Sequence, residues 1–259
     1  MIALKTVAEL EIMRQNGAVL ASILQELCEA AVPGQTTGFL DRLAEKRIRE
    51  SGGEPAFPKF AGFPGAINAS LNDEVVHGIP TDDRRLQKGD VFSIDIGLVR
   101  RGFCADMATT IPIGEVAPEV KRLLDVGEMS LWKGIEQVRI GNRLSDVSHA
   151  IGSYVEEAGF HVVREYVGHG IGRALHEDPQ IPNYGPPGRG ARLCAGMTFA
   201  IEPMVKIDAL PTAVRSDRWT VVTGSGGLSV HYEHTVALTE EGVEVLTCKE
   251  VSSDARGNG

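Results

Sequence analysis

Cysteine is scarce in this sequence, and long apolar runs are missing. The four cysteines among the 259 residues are widely separated and form no CxxC pair: Cys28, Cys104, Cys194 and Cys248. This spacing argues against a thiolate zinc site and against a redox motif. No apolar run approaches the roughly 20 residues of a membrane-spanning helix, and the amphipathic N-terminus differs from a signal peptide. We therefore expect a reduced, cytoplasmic protein that does not enter a membrane.

An excess of basic residues is also absent. The formal net charge is -9, with 26 Lys and Arg against 35 Asp and Glu, and no basic stripe is present. Nucleic acids and anionic membranes require positive charge to neutralise their phosphates, so neither is expected as a partner. The content of 42% hydrophobic and 24% charged residues is typical of a globular protein. We expect a monomer.

Helical and strand-like segments alternate in an order that occurs twice. Apolar residues at helical spacing predict a first helix that ends before Pro33 and a second that ends near Gly52. Strand-like sequence then extends to about Pro112. The same order follows, with helices predicted over 119–138 and 144–158 and strands beyond them.

A single shift superimposes the two parts of the chain. Gly34 and Gly141 are 107 positions apart (141 minus 34), and the same shift carries Asp95 onto Glu202. Under this shift, the predicted helices and strands of the first part fall on those of the second. This predicts one α+β domain of two pseudosymmetric αα-β halves around an antiparallel sheet. The predicted domain covers residues 1–253, with halves of about 1–112 and 113–253. Residues 254–259 have no periodicity and are predicted to form a flexible tail.

Two aspartates lie in neighbouring strand-like segments, VFSIDIGLV and GFCADMATTI. Alternation turns Asp95 away from the apolar layer of its strand. If Arg100 and Arg101 form the centre of a hairpin, Asp95 faces Asp106 directly. Like charges in that relation destabilise a sheet unless a positive charge lies between them.

Two glutamates extend this pattern. Glu202, in FAIEPM, and Glu233, in VHYEHT, are also surrounded by apolar strand residues. Each acid taken alone is as well explained by a solvated strand end or a pairing with arginine. Four buried acids together are costly as free anions, and two divalent cations would balance their charge.

The histidines supply candidate nitrogen ligands. His169 and His176 lie in GHGIGRALHEDPQ, where the glycines argue against the helical HExxH arrangement and suggest a backbone that passes close to a ligand. Mixed carboxylate and imidazole donors suit manganese, iron(II) or cobalt better than a structural zinc. His231 has no distinctive surroundings and is expected to be structural, whereas His234 is a candidate partner of a ligand.

The motifs NDEVVHGIP, DIG, GHGIGRALHEDPQ, FAIEPM and YEHT occur in this order and resemble the signature blocks of type I methionine aminopeptidases. The resemblance covers nearly the whole chain and implies the two-fold pseudosymmetric pita-bread fold. It also implies two divalent metal ions, which could be cobalt, manganese, iron(II), nickel or zinc. The implied ligands, with Asp106 and Glu233 bridging both ions, are Asp95, Asp106, His169, Glu202 and Glu233.

The resemblance further implies an activity. Such enzymes remove the N-terminal methionine from nascent or newly made proteins, preferably before a small second residue, and the ribosome is a possible partner. In the general two-metal scheme, a hydroxide activated by both ions attacks the first peptide bond. We expect Glu202 to transfer the proton, His176 to stabilise the oxyanion, and His77 to contact the amide beyond the scissile bond.

For the methionine side chain, the resemblance indicates an apolar pocket. The sequence departs from the common pattern at Asn68, where many relatives have cysteine, and at Leu175, where an aromatic residue is frequent. Packing in the core explains the aromatic residues equally well. The expected pocket residues are Phe57, Phe60, Phe63, Asn68, Leu175 and Trp219, together with His77 and His176.

Two alternatives remain open from the sequence. Other pita-bread metallopeptidases, the X-Pro aminopeptidases and dipeptidases, usually have a large additional N-terminal domain, which this sequence does not show. Non-catalytic binding modules with this fold typically lose the metal ligands, whereas all five are present here.

Overall fold

The computed structural model describes residues 2–248, so the predicted tail at 254–259 and the domain end at 253 lie outside the described residues. Five helices are present in this part of the chain: α1 (Val7–Ala30), α2 (Thr37–Glu50), α3 (Ala56–Phe60), α4 (Pro118–Ile135) and α5 (Leu144–Glu157). The strands of the first half are β1 (Glu54–Pro55), β2 (Ile67–Leu71), β3 (Glu74–Val76), β4 (Val91–Arg100) and β5 (Phe103–Pro112). Those of the second half are β6 (His161–Val162), β7 (Gly168–Gly170), β8 (Glu177–Ile181), β9 (Thr198–Ile201), β10 (Met204–Lys206), β11 (Ala213–Val214), β12 (Val221–Val222), β13 (Ser229–His231), β14 (Glu233–Thr239) and β15 (Gly242–Val245).

Helix boundaries follow local capping chemistry. At the start of α1, the Thr6 side chain accepts a hydrogen bond from the backbone N–H of Glu9, and the Glu9 carboxylate accepts one from that of Thr6. This reciprocal arrangement satisfies two N–H groups that the helix itself cannot pair. At the start of α2, the Thr36 side chain accepts a single hydrogen bond of this kind, from the backbone N–H of Phe39. Within residues 2–248, no helix is both long and apolar enough to cross a membrane.

An antiparallel sheet of nine strands forms the centre of the molecule, in the order β1-β4-β5-β14-β9-β7-β8, with β2 paired to β4 and β15 to β14. Helices α1 and α2 pack on the β4 side, where Leu20, Leu40 and Ile94 are fully buried. Helices α4 and α5 pack on the β9 side around Ile151 and Phe199. The two halves meet where β5 pairs with β14, so residues of this junction face one shared site.

The internal repeat is present in the backbone. The shift of 107 carries the first and last residues of α2 onto those of α5 (37 to 144 and 50 to 157). Gly34 and Gly141 have φ angles of 90° and 92°, and isolated bridges occur at Thr36 with Arg85 and at corresponding positions 143 and 192. The predicted helices agree with α4 and α5 to within a few residues.

The predicted hairpin between the two aspartates is wrong in register. The turn is centred on Arg101 and Gly102, whose φ angles are 53° and 80°. A two-residue turn of this kind requires positive φ at both positions, which glycine adopts readily. Asp106 therefore lies opposite Gly97 and not opposite Asp95. The shift is by two residues, so both carboxylates remain on the same face of the sheet.

Candidate active site and metal centre

A cavity of about 210 Å³ opens at the junction of the two halves. Most of the predicted site residues line it, together with residues that the sequence did not single out. The predicted residues that line the cavity are Asp95, Asp106, His169, Glu202, Glu233, His77, His176, Phe57, Phe63, Asn68, Leu175 and Trp219.

The acidic side chains come from adjacent strands at the centre of the sheet. Asp95 lies in β4, Asp106 in β5 and Glu233 at the start of β14, while Glu202 directly follows β9. Ala108 pairs with Asp95 on one side and with Glu233 on the other. Its small side chain therefore leaves space between the two carboxylates, on the face that Asp106 shares.

These carboxylates are in a strongly unfavourable environment as free anions. Asp106 and Glu233 are 4% and 2% exposed, and each has one oxygen without a hydrogen-bond partner, as does Asp95. Burial raises the pKa of Asp95 to about 6, and burial together with neighbouring carboxylates raises the pKa values of Asp106 and Glu233. Burial also raises the pKa of Glu202.

Among the described residues that line the cavity, none is a lysine or an arginine. Divalent cations therefore fit this donor set, because buried carboxylates with unpaired oxygens require a positive charge nearby. Ligand atoms of Asp106, His169 and Glu233 all lie within 4.8 Å of one another, which is close enough to share one ion.

His169 is oriented as a nitrogen donor. Its Nδ1 lies 2.9 Å from the carbonyl oxygen of Gly170, to which it can donate a hydrogen bond. That bond leaves the lone pair on Nε2, which faces Oε1 of Glu202 at 3.3 Å. Burial and the neighbouring His176 lower the pKa of His169 to about 4, so the imidazole is neutral near pH 7.

The glycines that flank His169 are required by the packing of the sheet. A Cβ at Gly170 would lie 2.1 Å from the carbonyl oxygen of Asp178, and one at Gly168 would lie 2.6 Å from that of Ala200. The glycines thus allow β7 to pass close to neighbouring backbone in the sheet. This close approach holds His169 beside β9 and its glutamate.

Two further histidines adjoin the candidate metal ligands. The ring of His176 lies 4.3 Å from that of His169. His77 directly follows β3 with a φ of 59°, and its ring contacts Tyr166 edge to face at 5.6 Å. Burial lowers the pKa of both, for His77 to about 4 with a contribution from neighbouring histidines. Both are therefore neutral near pH 7 and can donate a hydrogen bond from one ring nitrogen.

Aromatic side chains form an apolar wall beside these histidines. Phe63 contacts Trp219 edge to face at 5.3 Å and Phe57 at 6.4 Å. Phe60 is an exception among the predicted pocket residues, because it does not line the cavity. It is the last residue of the five-residue helix α3 and is 42% exposed, whereas Phe57 packs inward over Gly97 of β4.

Sequence reasoning missed His231 and Tyr166, which also line the cavity. His231 is 2% exposed, and its Nε2 lies 3.7 Å from Oε2 of Glu202 without a hydrogen-bond partner. His231 lies two residues before Glu233, so in an extended strand the two side chains are on the same face. This spacing was the signal by which the sequence could have indicated His231 as a site residue. His234, expected beside a ligand, instead faces away and contacts Oγ1 of Thr247 at 2.9 Å.

Comparison with known proteins places this geometry in a family. The profile of metallopeptidase family M24 matches residues 11–240. A methionine aminopeptidase of Clostridium acetobutylicum is 49% identical over 95% of this chain and 99% of its own length. Methionine aminopeptidase 1 of Bacillus subtilis is also 49% identical, with the same coverage.

Solved structures agree with the sequence relatives. Methionine aminopeptidase from Thermotoga maritima has a TM-score of 0.94 at 44% identity, covering 96% of this chain and 100% of that one. A prolidase from Pyrococcus horikoshii, at 20% identity and a TM-score of 0.78, shares the fold; 95% of this chain and 64% of the prolidase are covered. The predicted pita-bread fold is thus confirmed. The chain belongs to metallopeptidase family M24 and, within it, to the methionine aminopeptidases.

Proposed function

We propose that this protein removes the N-terminal methionine from nascent or newly made proteins, preferably before a small second residue. The observation that carries the proposal is the cluster of unpaired carboxylate oxygens and a neutral imidazole beside an apolar wall in one cavity. The names of relatives that are 49% identical over nearly the whole chain support the same activity.

Five residues would hold two divalent ions, with Asp106 and Glu233 shared between them. Four carboxylates and one imidazole form this set, and two divalent charges balance four anions. Carboxylate-rich donors suit manganese, iron(II) or cobalt better than a structural zinc, and nickel and a catalytic zinc are the other candidate ions. The proposed ligands are Asp95, Asp106, His169, Glu202 and Glu233.

When bound, the ions supply Lewis acidity, which acidifies water and polarises the carbonyl of the first peptide bond. Glu202 accepts the proton of the attacking water and returns it to the leaving amine. Its two oxygens lie 3.3 and 3.7 Å from the Nε2 atoms of His169 and His231, respectively. His176 donates a hydrogen bond to the developing oxyanion, and His77 contacts the amide beyond the scissile bond.

The apolar wall would receive the methionine side chain. Phe63, Leu175 and Trp219 line the cavity with apolar side chains, against which a flexible thioether can pack without losing hydrogen bonds. Asn68 adds a polar group, since its amide donates to Oδ2 of Asp95 at 2.5 Å. A monomer that acts on nascent chains in the cytoplasm, with the ribosome as a partner, is the setting proposed for this activity.

Peptide cleavage tests the proposal. Metal-loaded protein is incubated with Met-Ala-Ser, Met-Leu-Ser and Ala-Pro peptides, and free amino acids are measured. We expect methionine release from Met-Ala-Ser and little from Met-Leu-Ser. Absence of release with every divalent metal would refute the proposed function, and preferential cleavage of Ala-Pro would favour an X-Pro peptidase. Glu202→Gln should abolish release while the protein remains folded, and full activity in this variant would refute the role of Glu202.

A further inference from the structure

A short β-hairpin forms one wall of the cavity, and few backbone contacts attach it, among them a 2.9 Å hydrogen bond from the N–H of Thr223 to the carbonyl of Asp73. Strands β11 and β12 have two residues each, and β12 joins β3 through two register pairs with an irregularity between them. The outer strand, β11, is exposed at both residues. The turn of this hairpin carries Trp219, whose ring lies 5.3 Å from that of Phe63 and 6.5 Å from that of His77.

Arg215 connects the outer side of this hairpin to a buried carboxylate. It directly follows β11, and β12 lies between β11 and β3 in the sheet. Its Nη1 lies 2.5 Å from Oε1 of Glu74 in β3, and its Nη2 lies 3.3 Å from Oδ2 of Asp73. Glu74 is 1% exposed, and its other oxygen accepts hydrogen bonds from Arg84 at 2.6 Å and from the backbone N–H of Leu71 at 2.9 Å.

The turn between the strands is held together by its own contacts. Oδ1 of Asp217 accepts hydrogen bonds from the backbone N–H groups of Trp219 at 2.8 Å and Thr220 at 2.9 Å. The backbone N–H of Arg215 donates to the carbonyl of Thr220 at 2.8 Å. These bonds fix the shape of the turn. They do not fix its position relative to β3, the strand that directly precedes His77.

We propose that Arg215 is a positioning residue, which holds the hairpin against β3 and thereby keeps Trp219 in contact with His77 and Phe63. This inference rests on the proposed function, because Trp219 and Phe63 belong to the apolar wall that is proposed to receive the methionine side chain. Exposed ion pairs contribute little to stability, but Glu74 is buried. Loss of one of its two arginines leaves a buried charge that draws water into the base of the hairpin.

The expected kinetic effect falls on substrate binding. In the proposed function, Trp219 and Phe63 would contact the methionine side chain equally before and during the reaction, so a displaced wall should raise KM and leave kcat nearly unchanged. A role limited to overall stability would lower the melting temperature and change neither constant in the folded protein. A rise in KM at nearly constant kcat therefore indicates positioning, whereas a lower melting temperature with unchanged KM and kcat indicates general stabilisation.

The fluorescence of Trp219 reports directly on the position of the hairpin. The chain contains two tryptophans, so Trp132→Phe, a change at a 37% exposed position on α4, leaves Trp219 as the sole indole. In this background we compare Arg215→Met with Arg42→Met, as metal-loaded full-length protein. Arg42 forms a 2.9 Å ion pair with Asp82, both side chains are at least 60% exposed, and neither lines the cavity.

For Arg215→Met we expect a rise in KM for Met-Ala-Ser of about tenfold, with kcat within about twofold of the parent. Acrylamide quenching of Trp219 should increase about twofold, because the indole becomes more accessible. Arg215→Lys, which retains the charge but not the two-pronged contact, should give intermediate values. Arg42→Met should match the parent in all of these measurements.

Parental KM and quenching in folded Arg215→Met would overturn the proposal. If that variant does not fold, Arg215→Lys decides, since parental values, or a loss confined to kcat, would also overturn it. A parent protein that releases no methionine would refute the proposed function instead, and the quenching comparison would still test the position of the hairpin.

Discussion

Thr235 joins the two halves of the molecule directly behind the candidate metal ligands. It is fully buried in β14, and its Oγ1 accepts a hydrogen bond from the backbone N–H of Asp106 at 3.0 Å and donates one to the carbonyl of Asp106 at 2.8 Å. Thr235→Val keeps the volume and removes both bonds. Two buried backbone groups then have no partner, at a cost of about 3 kcal/mol.

For a chain of this length, a loss of that size lowers the melting temperature by about 10 °C. Metal affinity should also fall by about tenfold, because Asp106 loses the contact that fixes its backbone. Urea unfolding of the metal-free protein and calorimetric titration with Mn²⁺ measure the two effects.

Thr239→Val, at the far end of the same strand, is the matched control. This side chain is half-buried; its hydroxyl donates a hydrogen bond to the carbonyl of Gly242, the first residue of β15, and accepts one from the exposed backbone N–H of Glu241. Because water can replace both bonds, their loss should cost about 0.5 kcal/mol and leave metal affinity unchanged. Equal stability and equal metal affinity of Thr235→Val and the parent protein would refute the reasoning.

Three further predictions concern the cavity. Burial raises the pKa of Asp95 to about 6 and also raises those of Asp106, Glu202 and Glu233. Metal must displace these protons, so Mn²⁺ affinity should fall by at least about tenfold per unit as pH decreases from 6 to 5. A pH-independent affinity in calorimetry would contradict this. Phe63→Ala should raise KM for Met-Ala-Ser about tenfold while Phe60→Ala leaves it unchanged, and equal effects would contradict the cavity assignment. Gly170→Ala should destabilise the fold by more than about 3 kcal/mol, because its Cβ meets backbone; an unchanged denaturation midpoint would show that β7 can move.

Features with a regular period could be predicted from the sequence. The boundaries of α4 and α5 and the repeat of 107 positions follow from apolar spacing and from glycines at equivalent turns, such as Gly34 and Gly141. Strand parity placed Asp95 and Asp106 on one face. These inferences depend only on neighbours along the chain, which the sequence contains directly.

Features that depend on turn geometry or distant neighbours were missed. The hairpin register depended on the positive φ of Arg101 and Gly102, and two adjacent arginines gave a misleading centre. Phe60 differs from Phe57 only by its position in a helix too short to be predicted from periodicity. The spacing of His231 from Glu233 could have placed it on the same face, but its approach to Glu202 joins residues that are distant in sequence and could not be predicted from local surroundings.

The central claim is that two divalent ions share the carboxylates at the junction of the halves. A crystal structure of the protein loaded with Mn²⁺, with an anomalous difference map calculated near the manganese edge, tests it most directly. The account predicts two peaks in the cavity, both in contact with Asp106 and Glu233 and one with Nε2 of His169. A single peak at full loading, or manganese bound only outside the cavity, would contradict it.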